Sequence, residues 1–375
     1  MSNSIGLYIH IPFCKSKCPY CDFYSMPANE QVYNEYTATL CDKIIYWSKS
    51  VKENISTIYF GGGTPSILGE TRLNKILDTI KTYFYLEKDA EITVEINPES
   101  GKSFNFKTLK DNGFNRISVG LQSANENELQ LLGRIHTANE AKITVERARN
   151  AGIENISLDL MMGIPLQTLD SLKKSIDFCN ECQVTHISSY ILKIEKGTKF
   201  DTIKDKLNLL DDDYQAELYF NAVDYLDSLG YEQYEISNFA KKGYQSRHNT
   251  NYWKCKEYIG IGPSAHSFYQ GKRFYYDRDL SKFKTAEPIF DCYGGDKEEF
   301  IMLSLRLKSG LNFKEYENRY FEPLPSRTIE KIKKYSKMGY MEIDDNKACF
   351  TPKGYLVSNL ILSELIWFLK GTIVK

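Results

Sequence analysis

Apolar and polar positions alternate over Ile5-Gly6-Leu7-Tyr8-Ile9-His10-Ile11, the period-2 pattern of a strand. Pro12 ends it, because proline has no N–H to give to a ladder. Val32, Tyr36, Leu40, Ile44 and Trp47 then recur at helical spacing and predict a helix over 29–48. A second strand is expected over Ile55–Phe60, running into Gly61-Gly62-Gly63-Thr64-Pro65. The pattern repeats as helix 70–84 and strand 91–96, then helix 104–112 and strand 116–121. Helices 125–132 and 138–151 precede strand 155–161, and helix 169–182 precedes strand 186–194. Six strands alternating with helices imply parallel βαβ units with right-handed crossovers. The fold class is therefore α/β, a partial (β/α)6 barrel, whose functional loops gather at the C-terminal ends of the strands.

A further helix is expected at 211–229, followed by a Gly- and aromatic-rich stretch from Gly243 to Phe268. Beyond Lys297 the texture changes, and 327–357 reads helix, strand, turn, strand, helix, a small α+β winged-helix-like unit. The expected division is a partial barrel over 1–240, a connecting segment over 241–290 and a C-terminal domain over 291–375. Tyr355 to Val374 is the longest apolar stretch, but Asn359, Glu364 and Lys370 interrupt it. It is expected to be an amphipathic helix packed on a core, not a membrane span.

Composition narrows the function classes. Lys plus Arg number 48 against 49 Asp plus Glu, a balance that gives no reason to expect nucleic acid or an anionic membrane as main partner. No signal-peptide apolar region follows Met1. The nine cysteines are odd in number and scattered after the first three, as in reduced proteins of the cytoplasm. A cytoplasmic location is expected.

The first three cysteines lie in Cys14-Lys15-Ser16-Lys17-Cys18-Pro19-Tyr20-Cys21, a CxxxCxxC run just after the first strand. Three thiolates on one loop can hold three irons of a cubic iron–sulfur cluster and leave the fourth open to a small chelating molecule. The alternative is a zinc site with His10 as fourth ligand. The glycines at 61–63 let backbone approach a ligand closely. Glu95 and Gln122 sit at strand ends, Arg134 could pair with a carboxylate, and Asp159 ends the inner run Ser157-Leu158-Asp159-Leu160. Singly each suits a surface or strand-capping group; together on one barrel face they suit a polar nucleotide pocket.

The cysteine spacing resembles the cluster loop of the radical S-adenosylmethionine (SAM) superfamily. With Tyr8-Ile9-His10-Ile11-Pro12-Phe13, the GGGTP run, Val94-Glu95-Ile96-Asn97-Pro98, Gly120-Leu121-Gln122 and Asp159 to Pro165, nearly the whole chain resembles the coproporphyrinogen dehydrogenase (HemN)/HemW family. That resemblance implies a radical-SAM barrel with a HemN/HemW-type C-terminal domain. It also implies a [4Fe–4S] cluster on Cys14, Cys18 and Cys21, with SAM on the open iron. The family's SAM-contacting positions fall on Tyr8, Tyr20, Gly62, Gly63, Thr64, Glu95, Gln122, Arg134 and Asp159.

Three features favour the HemW branch. Phe23 stands where the dehydrogenase branch carries a further cysteine, no N-terminal arm precedes the first strand, and His248-Asn249-Thr250-Asn251-Tyr252-Trp253 looks like the HNxxYW haem-associated motif of HemW proteins. That branch implies a haem chaperone that delivers haem to haem-accepting apoproteins such as respiratory enzymes. Haem, the cluster and SAM are then the cofactors, with neither nucleic acid nor a membrane span, and a homodimer is left open. The alternative is an oxygen-independent coproporphyrinogen III dehydrogenase, an activity not expected here, and no catalytic residue is assigned. A third reading is a radical SAM enzyme with a small-molecule substrate. On their own chemistry, His248 suits an axial iron ligand, while Asn249, Tyr252 and Trp253 suit the surroundings of a flat apolar macrocycle. The segment is expected to be an exposed loop. Its alternative is a His248/Asn249 hydrogen-bond pair with the aromatics packed on the barrel. His10 is expected near the cluster and His266 beside the SAM pocket. Cys255 reads as an inert buried thiol, and the Cys179/Cys182 pair as helical without a metal.

Anaerobically reconstituted protein should be brown and hold about four irons per chain. Cys14→Ala, Cys18→Ala or Cys21→Ala should each abolish the chromophore. Stoichiometric zinc without colour would refute the cluster.

Overall fold

Six parallel strands carry the architecture of the computed structural model, which describes residues 4–367. They are β1 (Ser4–Ile11), β2 (Asn54–Gly62), β3 (Leu86–Ile96), β4 (Arg116–Gln122), β5 (Asn155–Met162) and β6 (His186–Ile191), hydrogen-bonded in that order. One set of alternate residues is apolar and buried: Leu7 and Ile9 on β1, Ile58 and Phe60 on β2, Val94 on β3, Val119 on β4, Leu158 on β5. These side chains form one core with helix residues such as Leu40, Ile44, Leu73 and Ile76. The other set is polar, aromatic or glycine: Tyr8, Thr57, Tyr59, Glu91, Glu95, Arg116, Ser118, Ser157, Asp159, His186. Successive strand residues point to opposite faces, so the helices cover the outer face and the inner face is a polar cleft. A sheet buried on both faces by apolar layers would instead read as continuous hydrophobic runs.

The helices start where the sequence supplies caps. Asn29 accepts from the Val32 N–H at the head of the helix Glu30–Ser48. Thr137 and Glu140 form a reciprocal capping box for Ala138–Asn150, satisfying N–H groups that the helix itself cannot.

The sheet runs on past both sides of the six strands. Beyond β6 lie the antiparallel β7 (Glu232–Glu235) and β8 (Asn238–Ala240). Beyond β1 lie β9 (Tyr258–Ile261), β10 (His266–Tyr269), β11 (Lys272–Tyr275) and β12 (Ile289–Tyr293). The pattern along 241–290 did not signal these strands, because β9 to β11 are only four residues each and too short for a clear period. The C-terminal part holds helices Lys297–Ser304, Phe313–Tyr320 and Ser326–Lys337 with a three-stranded sheet of Leu311–Asn312, Lys347–Phe350 and Met341–Ile343. It joins the barrel through the Ile236 N–H to Arg306 carbonyl bond, 3.2 Å, and the Lys308 N–H to Tyr234 carbonyl bond, 2.9 Å. The expected final helix is seen as Pro352–Leu356 and Ser358–Ile366, and its continuation to Val374 lies outside the described residues. No helix of the described residues is long and apolar enough to cross a membrane.

The N-terminal ends of the strands are closed by the helix Arg247–Trp253. The Glu91 carboxylate accepts from the Arg247 and His248 N–H groups, each at 3.0 Å, where two otherwise unpaired donors of the first turn point. Gly6 makes room on β1: a Cβ there would sit 3.0 Å from Thr57 Oγ1 and 3.3 Å from His248 Cε1. Arg116 is 1% exposed, and Glu91 is its foremost electrostatic partner.

Glu91→Ala should therefore strip two helix donors of their acceptor and remove the foremost opposite charge acting on the buried Arg116 guanidinium. A loss of about 1–3 kcal/mol, the cost of leaving buried donors unsatisfied, is expected in urea denaturation. An unchanged midpoint would contradict this account of the barrel floor.

Candidate functional site

The cysteine loop is pinched at its base. The Cys14 N–H donates to the Met26 carbonyl at 3.1 Å and the Met26 N–H to the Pro12 carbonyl at 3.0 Å, while Cys21 N–H closes a turn on the Cys18 carbonyl. Cys14, Cys18 and Cys21 are free and partly exposed, whereas Cys41, Cys179, Cys182, Cys255 and Cys349 are buried. Three soft sulfur donors on one loop with no fourth protein ligand suit a cluster that keeps one iron open. Zinc suits them less. His10, the expected fourth ligand, is 3% exposed and its ring nitrogens face the Tyr8 hydroxyl at 3.0 Å and the Tyr24 carbonyl at 3.1 Å. Among the described residues no three His, Cys, Asp or Glu side chains are preset around a single ion.

The glycine run lies directly beneath this loop. Gly63 N–H donates to the Ile11 carbonyl at 2.8 Å and Thr64 N–H to the Phe13 carbonyl at 2.7 Å, and Thr64 Oγ1 is 3.3 Å from Cys14 Sγ. A Cβ on Gly62, whose φ is +116°, would strike the His10 ring at 2.6 Å, and one on Gly63 would strike the Phe13 carbonyl oxygen at 2.6 Å. Only glycine allows strand and loop to approach so closely.

Glu95 accepts from the Tyr59 hydroxyl at 2.8 Å and the Gly62 N–H at 3.2 Å, and burial pushes its carboxyl up to about 7. Tyr8 stacks on Tyr59 with centroids 6.3 Å apart. Asn97 Nδ2 donates to Thr64 Oγ1 at 3.0 Å and so ties β3 to the glycine run. Gln122 adopts a left-handed φ of +71° where β4 ends. Its amide, the Asn97 Oδ1 and an Arg134 nitrogen all converge over Gly120, within 3.8 Å of where a Cβ would stand. The Arg134 guanidinium lies over the Tyr20 ring at 5.8 Å, and Arg134 Nε and the Tyr20 hydroxyl are buried without a partner. A cation and a hydroxyl left unsatisfied in this way can receive an anionic group.

The structure thus gathers Tyr8, Gly62, Gly63, Thr64 and Glu95 in one bonded set, with Gln122, Arg134 and Tyr20 beside it. Asp159 departs from the strand-end position expected of it. It lies mid-strand on β5, deeper in the cleft, accepting from Ser118 Oγ at 3.0 Å and Ser157 Oγ at 3.3 Å, and burial raises its pKa. Tyr59 and Asn97 were not singled out from sequence, although the alternation along β2 and β3 puts both on the inner face.

The segment from His248 to Trp253 is a helix and not an exposed loop. His248 is 1% exposed, stacks on Tyr59 at 5.2 Å, and has its ring nitrogens 2.8 Å from Thr57 Oγ1 and 2.7 Å from the Tyr252 hydroxyl. Burial lowers its pKa to about 3. Asn249 supplies its N–H to the Ser246 cap, Tyr252 packs edge-on against Tyr258 at 4.4 Å, and the Trp253 indole N–H is buried and unpaired. The His248/Asn249 pair of the packing alternative is not formed, while its packing of Tyr252 against the sheet is seen. His266 is exposed on β10, stacked on Tyr275.

Comparison with known proteins agrees with these features. The Radical SAM superfamily matches residues 8–179 and the HemN C-terminal domain residues 297–357. The chain is 34% identical to "Heme chaperone HemW" of Bacillus subtilis over 96% of its length and 98% of that protein. It is 33% identical to the Lactococcus lactis protein of that name, over 96% of both chains. The Escherichia coli protein of that name is 39% identical over 76% of this chain and 74% of its own. In three dimensions it superposes on coproporphyrinogen III oxidase (HemN) from Escherichia coli with a TM-score of 0.82 over 97% of this chain and 90% of that one, at 19% identity. That likeness establishes the fold: a partial radical-SAM barrel with a C-terminal α+β domain.

Two buried carboxyls set a pH dependence. Glu95 and Glu235 are both raised by burial from 4.5 to about 7. The folded state therefore holds these protons more tightly than the unfolded chain. Their contribution is full below about pH 4.5 and is lost as pH rises to about 7, by up to about 1.4 kcal/mol per unit for each group. Denaturation at about pH 5 and about pH 8 should show this loss, and Glu235→Gln should reduce it. The same slope in the variant would contradict the assignment.

Proposed function

Since the chain belongs to the HemW family of radical-SAM-type proteins, we propose that it is a haem chaperone, binding haem in the cytoplasm and handing it to haem-dependent, including respiratory, apoproteins. The observation that carries this is likeness to proteins named heme chaperone along almost their whole length. In this proposal Cys14, Cys18 and Cys21 hold a [4Fe–4S] cluster. SAM lies against Tyr8, Tyr20, Gly62, Gly63, Thr64, Glu95, Gln122, Arg134 and Asp159. When bound, the pair supplies one-electron chemistry. Support for the SAM site comes from the unpaired Arg134 Nε and Tyr20 hydroxyl beside the loop, which suit a carboxylate. It comes also from the Glu95 carboxyl, which suits a polar donor. In the same proposal haem is bound through His248, Asn249, Tyr252 and Trp253, whose helix also holds Tyr59 at the floor of the cleft.

The dehydrogenase reading has fold likeness in its favour and no more, since HemN is only 19% identical. Phe23, 67% exposed on the cysteine loop, occupies the position where that branch carries its extra cysteine.

Reconstituted protein should bind haem stoichiometrically, transfer it to an apo-haem protein, and form no protoporphyrinogen from coproporphyrinogen with SAM and reductant. Glu95→Ala and Asp159→Ala should each weaken SAM binding by roughly 1–3 kcal/mol, the cost of losing buried acceptors, as read by calorimetry. Steady protoporphyrinogen formation would establish the dehydrogenase instead.

A further inference from the structure

A hydrogen bond has a direction, and the neighbours of one buried imidazole fix that direction at the mouth of the cleft. His10 lies on the inner face of β1, two residues after Tyr8, and is 3% exposed. Its Nε2 is 3.1 Å from the Tyr24 carbonyl oxygen and its Nδ1 is 3.0 Å from the Tyr8 hydroxyl. A carbonyl oxygen only accepts, so Nε2 must carry a proton. A second proton on Nδ1 would make a cation, which burial opposes by lowering the His10 pKa to about 4. Nδ1 therefore keeps its lone pair, and the Tyr8 hydroxyl donates to it. A half-turn of the ring would set Cε1 and Cδ2 against these two partners and leave both without a bond. Close backbone holds the ring in place: a Cβ on Gly62 would meet its Cε1 and Nδ1 at 2.6 Å, and one on Gly262 would meet the His10 Cβ at 2.8 Å.

The consequence falls on Tyr8. Its ring stacks on Tyr59, and among the described residues its hydroxyl makes no other hydrogen bond. With its one proton given to His10, the phenol oxygen offers the cleft lone pairs alone. The Tyr59 hydroxyl likewise gives its proton to Glu95. This wall of the site therefore presents acceptors, whereas the unpaired Arg134 Nε and Tyr20 hydroxyl beside it are donors.

We propose that His10 is a positioning residue for the SAM site: as the Nε2–H tautomer it turns the Tyr8 hydroxyl inward, so that the Tyr8 oxygen receives a hydrogen-bond donor of the ligand. This rests on the reading of the cleft as a SAM site and gives one wall of that site a polarity. The ligand group at Tyr8 is an ammonium or a hydroxyl, and a carboxylate belongs with Arg134 and Tyr20. His10 itself touches no ligand. Through Tyr24, three residues after Cys21, the same ring also anchors the end of the cysteine loop.

Two isosteres separate the two bonds of the ring. Asparagine places an amide oxygen near the position of Nδ1, and glutamine places its amide near that of Nε2. His10→Gln should keep the bond to Tyr24, lose the acceptor for Tyr8 and weaken SAM binding about three- to tenfold, the loss of one buried hydrogen bond. His10→Asn, which keeps that acceptor, should bind SAM within about threefold of the wild type. Both are read by anaerobic calorimetry on reconstituted full-length protein, and both should hold the wild-type iron content. In a Tyr8→Phe background His10→Gln should cost nothing further, because the oxygen it orients is gone. Nitrogen–proton spectra of histidine-labelled protein, with His10→Gln identifying the signal, should show Nε2 protonated and Nδ1 bare. A proton on Nδ1 would overturn the proposal. So would wild-type SAM affinity in His10→Gln, an equal loss in His10→Asn, or a His10→Gln loss that persists in Tyr8→Phe. A wild-type protein that holds its cluster but binds no SAM would sink the SAM reading itself, and this assignment with it.

Discussion

A polar inner face on a sheet whose outer face is apolar is the constraint on which the rest of the structure depends. Burying Glu91, Arg116, Ser157, Asp159 and His186 in a cleft is costly unless each finds a partner. The chain meets that requirement for the carboxylates, Ser157 and His186 partly by laying short segments across the ends of the strands, while Arg116 Nε and Nη1 stay without a hydrogen-bond partner. At the floor, the helix Arg247–Trp253 gives its first N–H groups to Glu91 and its imidazole to Thr57 and Tyr252. On the neighbouring strands Ser157, His186 and Tyr234 form a second chain of bonds at 2.7 and 2.9 Å. The bottom of the barrel is thereby closed by polar contacts in place of the branched aliphatic layers that fill a complete eight-stranded barrel.

The mouth is built on the opposite principle. There the strand ends present groups that stay unpaired, Arg134 Nε and the Tyr20 hydroxyl among them, beneath a loop of three free thiols. Raised carboxyls at Glu95 and Asp159 add acceptors held partly against their own ionisation. A largely paired floor makes a rigid frame, and unpaired groups at the mouth make a ligand site.

The sheet extension ties a third surface to that mouth. β9 pairs in parallel with β1, the strand that leads into the cysteine loop. Tyr36 donates its hydroxyl to the His10 carbonyl at 2.5 Å, and a Cβ on Gly262 would meet that same carbonyl at 2.7 Å. The extension of the sheet is thus packed against the end of β1 through backbone contacts.

The βα alternation, the six parallel strands, the cysteine loop and the glycine run could be read from the chain because each is a local pattern. Period, spacing and a turn residue depend on neighbours within a few positions. The packing of Gly63 under Phe13, the four strands past β1 and the depth of Asp159 could not, since each depends on residues brought together from distant parts of the chain. His248 shows the division most clearly. Its sequence surroundings, polar residues and adjacent aromatics, suit an exposed loop as well as a helix. Its burial follows only from Gly6, Thr57 and Glu91, which lie on three separate strands. Local sequence determined which residues could bear chemistry. Tertiary structure decided which of them have their hydrogen-bonding atoms occupied, because that depends on partners placed from 36 positions away, for Glu95 and Tyr59, to 191, for His248 and Thr57.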